Sequence, residues 1–179
     1  ISPAEIDIVW ESDSYTPPFY KGRALPSAGT KIRMQAIARL MLPDGSSVPE
    51  NAIIYTWRRN GSVIPTASGK GRSFATFQAP TLFGKDSFGV EAVSADGTRA
   101  GSAGVTISSV EPMLALYEDH PLFGILYSNA FGQTTSVKEP EVTFAAVPYF
   151  AQANSSDDPQ LVYGWKVNGQ QIPADYSRP

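Results

Sequence analysis

Hydrophobic and polar residues alternate along most of this chain with the two-residue period of a β-strand. The clearest stretch is residues 31–40. Ile32, Met34, Ala36, Ala38 and Leu40 share one face, and Lys31, Arg33, Gln35 and Arg39 share the other. This pattern predicts a strand with one buried and one wet face. Ile6, Ile8 and Trp10 predict a shorter strand of the same kind near the N-terminus. Further strands are predicted over residues 53–59, around Phe74 and Phe77 up to Pro80, and over 87–94 and 99–107. Turn residues separate them, notably Pro43-Asp44-Gly45, Ser68-Gly69-Lys70-Gly71 and Ala95-Asp96-Gly97. Residues 11–20 hold Pro17 and Pro18 beside Tyr15, Phe19 and Tyr20, and so predict an aromatic loop rather than a central strand. No segment sustains a 3.6-residue apolar period, so very little helix is expected.

One stretch occurs twice. Tyr55, Trp57, Asn60, Gly61, Ile64 and Pro65 return as Tyr163, Trp165, Asn168, Gly169, Ile172 and Pro173, each 108 residues later. Six identities at one offset, including a Trp, indicate an internal duplication. Each copy predicts a β-hairpin: a Trp-bearing strand, an Asn-Gly tight turn and a short return strand. Both Trp residues are expected to be buried in a core.

The rest of the second copy follows the order of the first. Residues 113–117 match 6–10, and Glu118 and Asp119 match the acidic Glu11 and Asp13. A Pro and aromatic loop over 121–127 follows. Ala130-Phe131 matches Ala24-Leu25, and residues 141–150 match the 31–40 strand, with Val142, Phe144, Ala146 and Phe150 inward. Residues 108–112 read as a short linker, which predicts limited swing between the copies. The expected organisation is therefore all-β, with one sandwich domain over residues 1–110 and a second copy over 111–179.

That second copy is expected to be incomplete. Position 179 matches position 71, so nothing in the second copy matches residues 72–107, about three strands of the first. A sandwich without them exposes an apolar face and the edge of its Trp strand. Three readings stay open: a piece of a longer chain, strands supplied by another chain, or a smaller half-domain.

Composition narrows the function classes. Apolar residues make up 42% of the chain, enough for packed cores, whereas charged residues are only 17%. With 15 Gly and 15 Pro, the balance favours turns over amphipathic helices. A net charge of −3 offers no basic surface for a phosphate backbone, which argues against nucleic-acid binding. The absence of Cys excludes a disulfide framework and a thiolate metal site. No run approaches the roughly 20 apolar residues of a membrane-spanning helix. The N-terminus has no signal-peptide pattern, so an exported parent would have lost its signal or anchor.

The Tyr-x-Trp, Asn-Gly and Ile of the hairpin, followed by Asp86-Ser-Phe-Gly-Val-Glu-Ala-Val-Ser-Ala-Asp96-Gly97, resemble Ig-like or PKD-like domains of bacterial surface proteins. The repeated order also resembles uncharacterised bacterial surface proteins with tandem β-sandwiches. The resemblance implies two tandem Ig-like sandwiches with Trp57 and Trp165 on their third core strands. It carries no activity with it. The expected function is a non-enzymatic, extracytoplasmic structural or interaction module of a cell-surface or appendage-associated protein. The alternative is an ancillary carbohydrate- or protein-binding domain of a larger secreted enzyme. Expected partners are a protein or a cell-surface glycan, or a strand that completes the second domain.

Candidate chemistry is thin. His120 is the single His, and it lies beside Glu118 and Asp119. A metal site needs three or four ligands and a general base needs an oriented partner. No fourth ligand is visible nearby, and the matching Glu11 and Asp13 have no His beside them. The triplet therefore reads as a solvated loop, and neither a catalytic residue, a metal nor a cofactor is expected. Calcium would suit the carboxylates best, but no Asp-x-Asp-x-Asp loop is present. No Ser lies in a Gly-x-Ser-x-Gly setting. Tyr15, Phe19 and Tyr20, with Phe123 and Tyr127 in the second copy, form either a binding patch or a lid over the sandwich end.

Overall fold

The computed structural model describes residues 4–137 and 140–173. The stretch 174–179, over which the match to the first copy runs out, lies outside the described residues. The described chain is all-β, with antiparallel sheets and a single 3-10 turn at Glu50–Ala52. It divides into two compact units. The first comprises Ile1–Asp13 and Arg23–Glu111, and the second Ser14–Gly22 and Pro112–Pro179.

The first unit holds β1 (Glu5–Ser12), β2 (Lys31–Arg39), β3 (Ile53–Arg59), the short β4 (Ser62–Val63) and β5 (Gly69–Lys70), β6 (Phe74–Gln78), β7 (Lys85–Ser94) and β8 (Ala100–Ser108). One sheet has the order β1-β2-β6. The other has the order β4-β3-β7-β8, with β5 also pairing β3. The alternation along β2 sets its register: Ile32, Met34 and Ala36 are buried, and Lys31, Arg33 and Arg39 are not. Ile8 pairs Ala36 and Ile6 pairs Ala38 on β1, while Trp57 pairs Val90 and Tyr55 pairs Ala92 on β7.

The two inner faces meet in one core of Ile32, Met34, Tyr55, Trp57, Phe77, Phe88 and Val90 with smaller neighbours. Ring centroids of Trp57 and Phe77 lie 5.9 Å apart, and those of Phe77 and Phe88 5.0 Å. Full burial of each large side chain contributes roughly 1.5–3 kcal/mol. The expected linker is partly absorbed into this unit. The Ser109 amide donates to the Gly84 carbonyl at 3.0 Å, and the Val110 amide to the Pro26 carbonyl at 2.9 Å.

The second unit holds β9 (Met113–His120), β10 (Gly124–Phe131), β11 (Phe144–Tyr149), β12 (Lys166–Val167) and β13 (Gln170–Gln171). Its main sheet has the order β10-β9-β11, and β12 and β13 form a separate hairpin. Two details depart from the sequence reading. Residues 121–127 are not a loop throughout: the turn ends at Gly124, whose φ of 68° suits glycine, and β10 begins there. Pro121, which has no N–H to donate, occupies the turn itself, outside the ladder. Pro148 lies inside β11, where it is tolerated because β11 is at the edge of the sheet.

The second sheet repeats the first, but with the β9 match shifted by one residue. Leu116 pairs Ala146 and Leu114 pairs Pro148, as Ile8 pairs Ala36 and Ile6 pairs Ala38. Leu114 and Leu116 therefore stand 108 residues after Ile6 and Ile8, the same offset as the Trp hairpin.

That hairpin is built the same way twice. Asn60 and Gly61 take φ 50° and 82°, and Asn168 and Gly169 take 50° and 80°. The Ile64 amide donates to the Trp57 carbonyl at 2.8 Å, and the Ile172 amide to the Trp165 carbonyl at 2.9 Å. The indoles differ. Trp57 is fully buried, whereas Trp165 is only partly buried.

Candidate interaction surface

Three surfaces of the second unit stand out: two gather the residues that sequence pattern singles out, and the third does not. The first is an aromatic cluster built on the loop Ser14–Gly22. The Tyr15 amide donates to the Ala151 carbonyl at 2.8 Å, and the Tyr15 carbonyl accepts from the Phe150 amide at 2.6 Å. This two-bond bridge fixes the loop after β11. Tyr20 then packs edge-on against Tyr149 and Phe150, with centroids 5.7 and 5.8 Å apart. Phe19 reaches Tyr127 at 6.3 Å, and Tyr127 reaches Tyr117 at 5.4 Å. Pro17 and Pro18 keep the loop out of any sheet, so its contacts come through side chains and this bridge.

Within the cluster the Tyr117 and Tyr149 hydroxyls share a 2.7 Å hydrogen bond. Burial, and then the bond to Tyr117, hold the Tyr149 phenol well above the usual range. Burial raises Tyr127 in the same direction, with Tyr15 and Tyr117 adding to it. Burial thus favours the neutral phenol at Tyr149 and Tyr127, in keeping with a packing role. Phe19, in contrast, presents 86% of its surface to solvent at a φ of 66°.

The second surface is the turn between β9 and β10. Glu118, Asp119, His120, Glu141 and Thr143 line an open concavity of about 510 Å³. The Asp119 amide donates to the Thr143 carbonyl at 2.8 Å. Nδ1 of His120 accepts the Leu122 amide at 3.1 Å, and its ring stacks 4.7 Å from Phe123. That nitrogen is engaged in shaping the turn. Among the described residues no group of three or more His, Asp or Glu is placed to hold a metal ion. Phe123 and Leu122 project from this turn, and Phe123 is 76% exposed.

The eight residues singled out in the sequence thus separate into two sets. Tyr15, Phe19, Tyr20 and Tyr127 meet in the cluster, whereas Glu118, Asp119, His120 and Phe123 lie at the turn. Tyr117, Tyr149 and Phe150 complete the cluster and have no distinguishing local motif.

The third surface is a groove of about 570 Å³. Leu114, Leu116, Ala146, Pro148, Tyr163 and Trp165 line it. The signal for this site is the 108-residue offset that places Leu114 and Leu116 with Trp165. Elsewhere the perturbed carboxylates serve turns. Asp44, Asp96 and Asp158 are held below the usual range by hydrogen bonds from Ser46, from Ser94, and from the Asn154 and Gln160 amides respectively. Comparison of the chain with protein-family models, with curated proteins and with solved structures finds no match.

Proposed function

We propose that the chain is a pair of tandem Ig-like modules that space, present or bind at a bacterial cell surface or appendage, without catalytic activity of their own. The observation that carries this reading is the hairpin built twice, with the same turn dihedrals and the same Ile-to-Trp hydrogen bond. A duplicated scaffold whose titratable groups are used for turns and packing suits a mechanical or adhesive role. The test is immunodetection in fractionated producer cells with antibody to the chain. Recovery in the surface or shed fraction is expected, and recovery in the cytoplasm overturns the reading.

The exposed rings of Phe19 and Phe123 favour a second reading, an ancillary carbohydrate-binding domain. A glycan array separates the two. Binding lost in Phe19→Ala or Phe123→Ala with folding intact supports the second reading, and uniform silence supports the first.

A further inference from the structure

The chain contains four Asx-Gly dipeptides: Asp44-Gly45, Asn60-Gly61, Asp96-Gly97 and Asn168-Gly169. Each glycine takes a positive φ, between 71° and 84°. In such a pair the glycine amide nitrogen lies next to the Asx side-chain carbon, with no Cβ of its own to shield it. That nitrogen is a latent nucleophile. What restrains it is how firmly the side chain and the turn are held away from the reacting geometry.

Three of the four side chains are held. The Asp44 carboxylate accepts the Ser46 amide at 2.9 Å and the Ser46 hydroxyl at 2.6 Å. The Asp96 carboxylate accepts the Ser94 hydroxyl at 2.5 Å and the Thr98 amide at 3.1 Å. These bonds hold both carboxyls below the usual range, so they are ionised at neutral pH, and a carboxylate is a poor electrophile. The Asn60 side chain donates to Oδ1 of Asp86 at 2.6 Å and accepts the Ser87 amide at 2.8 Å. Its backbone is fixed as well. The Asn60 amide donates to the Ser87 carbonyl at 2.8 Å, and β7 pairs β3 as far as Arg59.

Asn168 repeats the turn of Asn60 at the same φ, yet among the described residues no hydrogen bond holds its exposed side chain. β12 and β13 pair at two positions, Lys166 with Gln171 and Val167 with Gln170, and no other described strand flanks them. A two-stranded hairpin of that length opens readily, which frees the turn to adopt other conformations.

We propose that Asn168 is a self-modification site of the folded chain. The Gly169 amide nitrogen bonds to the side-chain carbonyl carbon of Asn168. The bond from that carbon to the side-chain nitrogen breaks, and the departing group carries off the Gly169 amide proton as ammonia. The succinimide ring that results takes up one water at either carbonyl and opens to aspartate or isoaspartate. No oxidant or reductant takes part. Both products put a carboxylate in the turn. Isoaspartate also adds a carbon to the backbone path, which displaces the Ile172 amide from its 2.9 Å bond to the Trp165 carbonyl. The second hairpin thus ages in one direction, while its counterpart in the first unit is clamped against the same change. This goes beyond the tandem-module reading and does not depend on it.

The test is timed incubation of the whole chain in mildly alkaline buffer, followed by peptide mapping with mass spectrometry. A gain of about 1 Da at Asn168, with an isoaspartate form resolved by chromatography, should accumulate at least about tenfold faster than at Asn60. In guanidinium chloride the two sites should react at similar rates, because the restraint lies in the fold. Asn168→Gln should abolish the early acidic species. Equal rates in the native protein, a faster Asn60, or silence at both sites overturns the proposal. So does a rate difference that survives denaturation, which would assign it to local sequence rather than to the hydrogen bonds of Asn60. An acidic species that persists in Asn168→Gln places the reaction elsewhere and overturns it too.

Discussion

The indole Nε1 of Trp57 donates a 2.9 Å hydrogen bond to the carbonyl oxygen of Arg72, two residues after β5. The amide of the same Trp donates to Ser68 Oγ at 2.9 Å, and that hydroxyl donates to the Ile64 carbonyl at 2.8 Å. The largest buried side chain is thereby tied at both ends to the loop that leads into β6. Apolar burial and a satisfied polar handle act on one residue.

Trp57→Ala is expected to cost the first unit about 3–5 kcal/mol, the usual range for deleting a buried aromatic. Trp165→Ala is expected to cost the second less, about 1–2 kcal/mol, since its ring is only partly buried. Urea unfolding followed by amide resonances from each unit measures the two separately. Equal costs would mean that Trp165 is a core residue after all.

Asp86 joins Arg59 and Asn60 at the rim of the first core, with Arg59 Nε 2.9 Å from Oδ2. The Asn60 hydrogen bond is the main cause holding its carboxyl below the usual range, with Arg59 helping and burial opposing. A carboxylate with a lowered native value stabilises the fold above its unfolded value near 4, and this is lost as pH falls through the native value. Asp86→Asn should therefore cost about 1.5–3 kcal/mol at pH 7 and flatten the acid limb below pH 4. Chemical denaturation at a series of pH values reads both effects. An unchanged limb would remove Asp86 from the account.

Tyr149 acts at the other end of the scale. Its phenol is raised in the folded state, so its contribution is fully present below the unfolded value near 10 and fades as pH climbs through the native one. Alkaline titration followed by tyrosinate absorbance should show one phenol that ionises only as the second unit unfolds. In Tyr149→Phe that late step should vanish.

Tyr20 lies early in the chain but packs in the second unit. Tyr20→Ala should lower the stability of that unit by about 1–2 kcal/mol and leave the first unit unmoved. Phe19→Ala, one residue away but exposed, should stay within about 0.5 kcal/mol of wild type. Thermal unfolding with unit-specific probes distinguishes them, and a loss confined to the first unit would contradict the placement of the loop.

Much of the first unit was legible because its strands have one wet face. The alternation of Ile32, Met34 and Ala36 with Lys31 and Arg33 leaves a single register, and Asn60-Gly61 specifies the turn by backbone conformation alone. The second unit was harder to read for a physical reason. Ala145, Ala146, Val147 and Pro148 are all buried, so β11 has no polar face to reveal its period. The aromatic cluster was legible only in part. Tyr15, Phe19 and Tyr20 stand out beside two prolines, but their partners Tyr149 and Phe150 lie about 130 residues away, where no local pattern points to them. The motif around Trp165 encodes the hairpin but not its degree of burial, which depends on the strands around it.

The loop Ser14–Gly22 leaves the chain early and finds its partners late. At translation rates of about 5–20 residues per second, its residues emerge on the order of ten seconds before Ala151, to which Tyr15 bonds. The first unit has all its own strands by Ser108, so the nascent protein passes through a stage in which one unit can close around an aromatic loop that has nowhere to go. For that interval Tyr20 and its neighbours lie open to whatever chaperone or membrane surface the growing chain meets. The order of synthesis, and not only the final packing, thus fixes when the second unit can form.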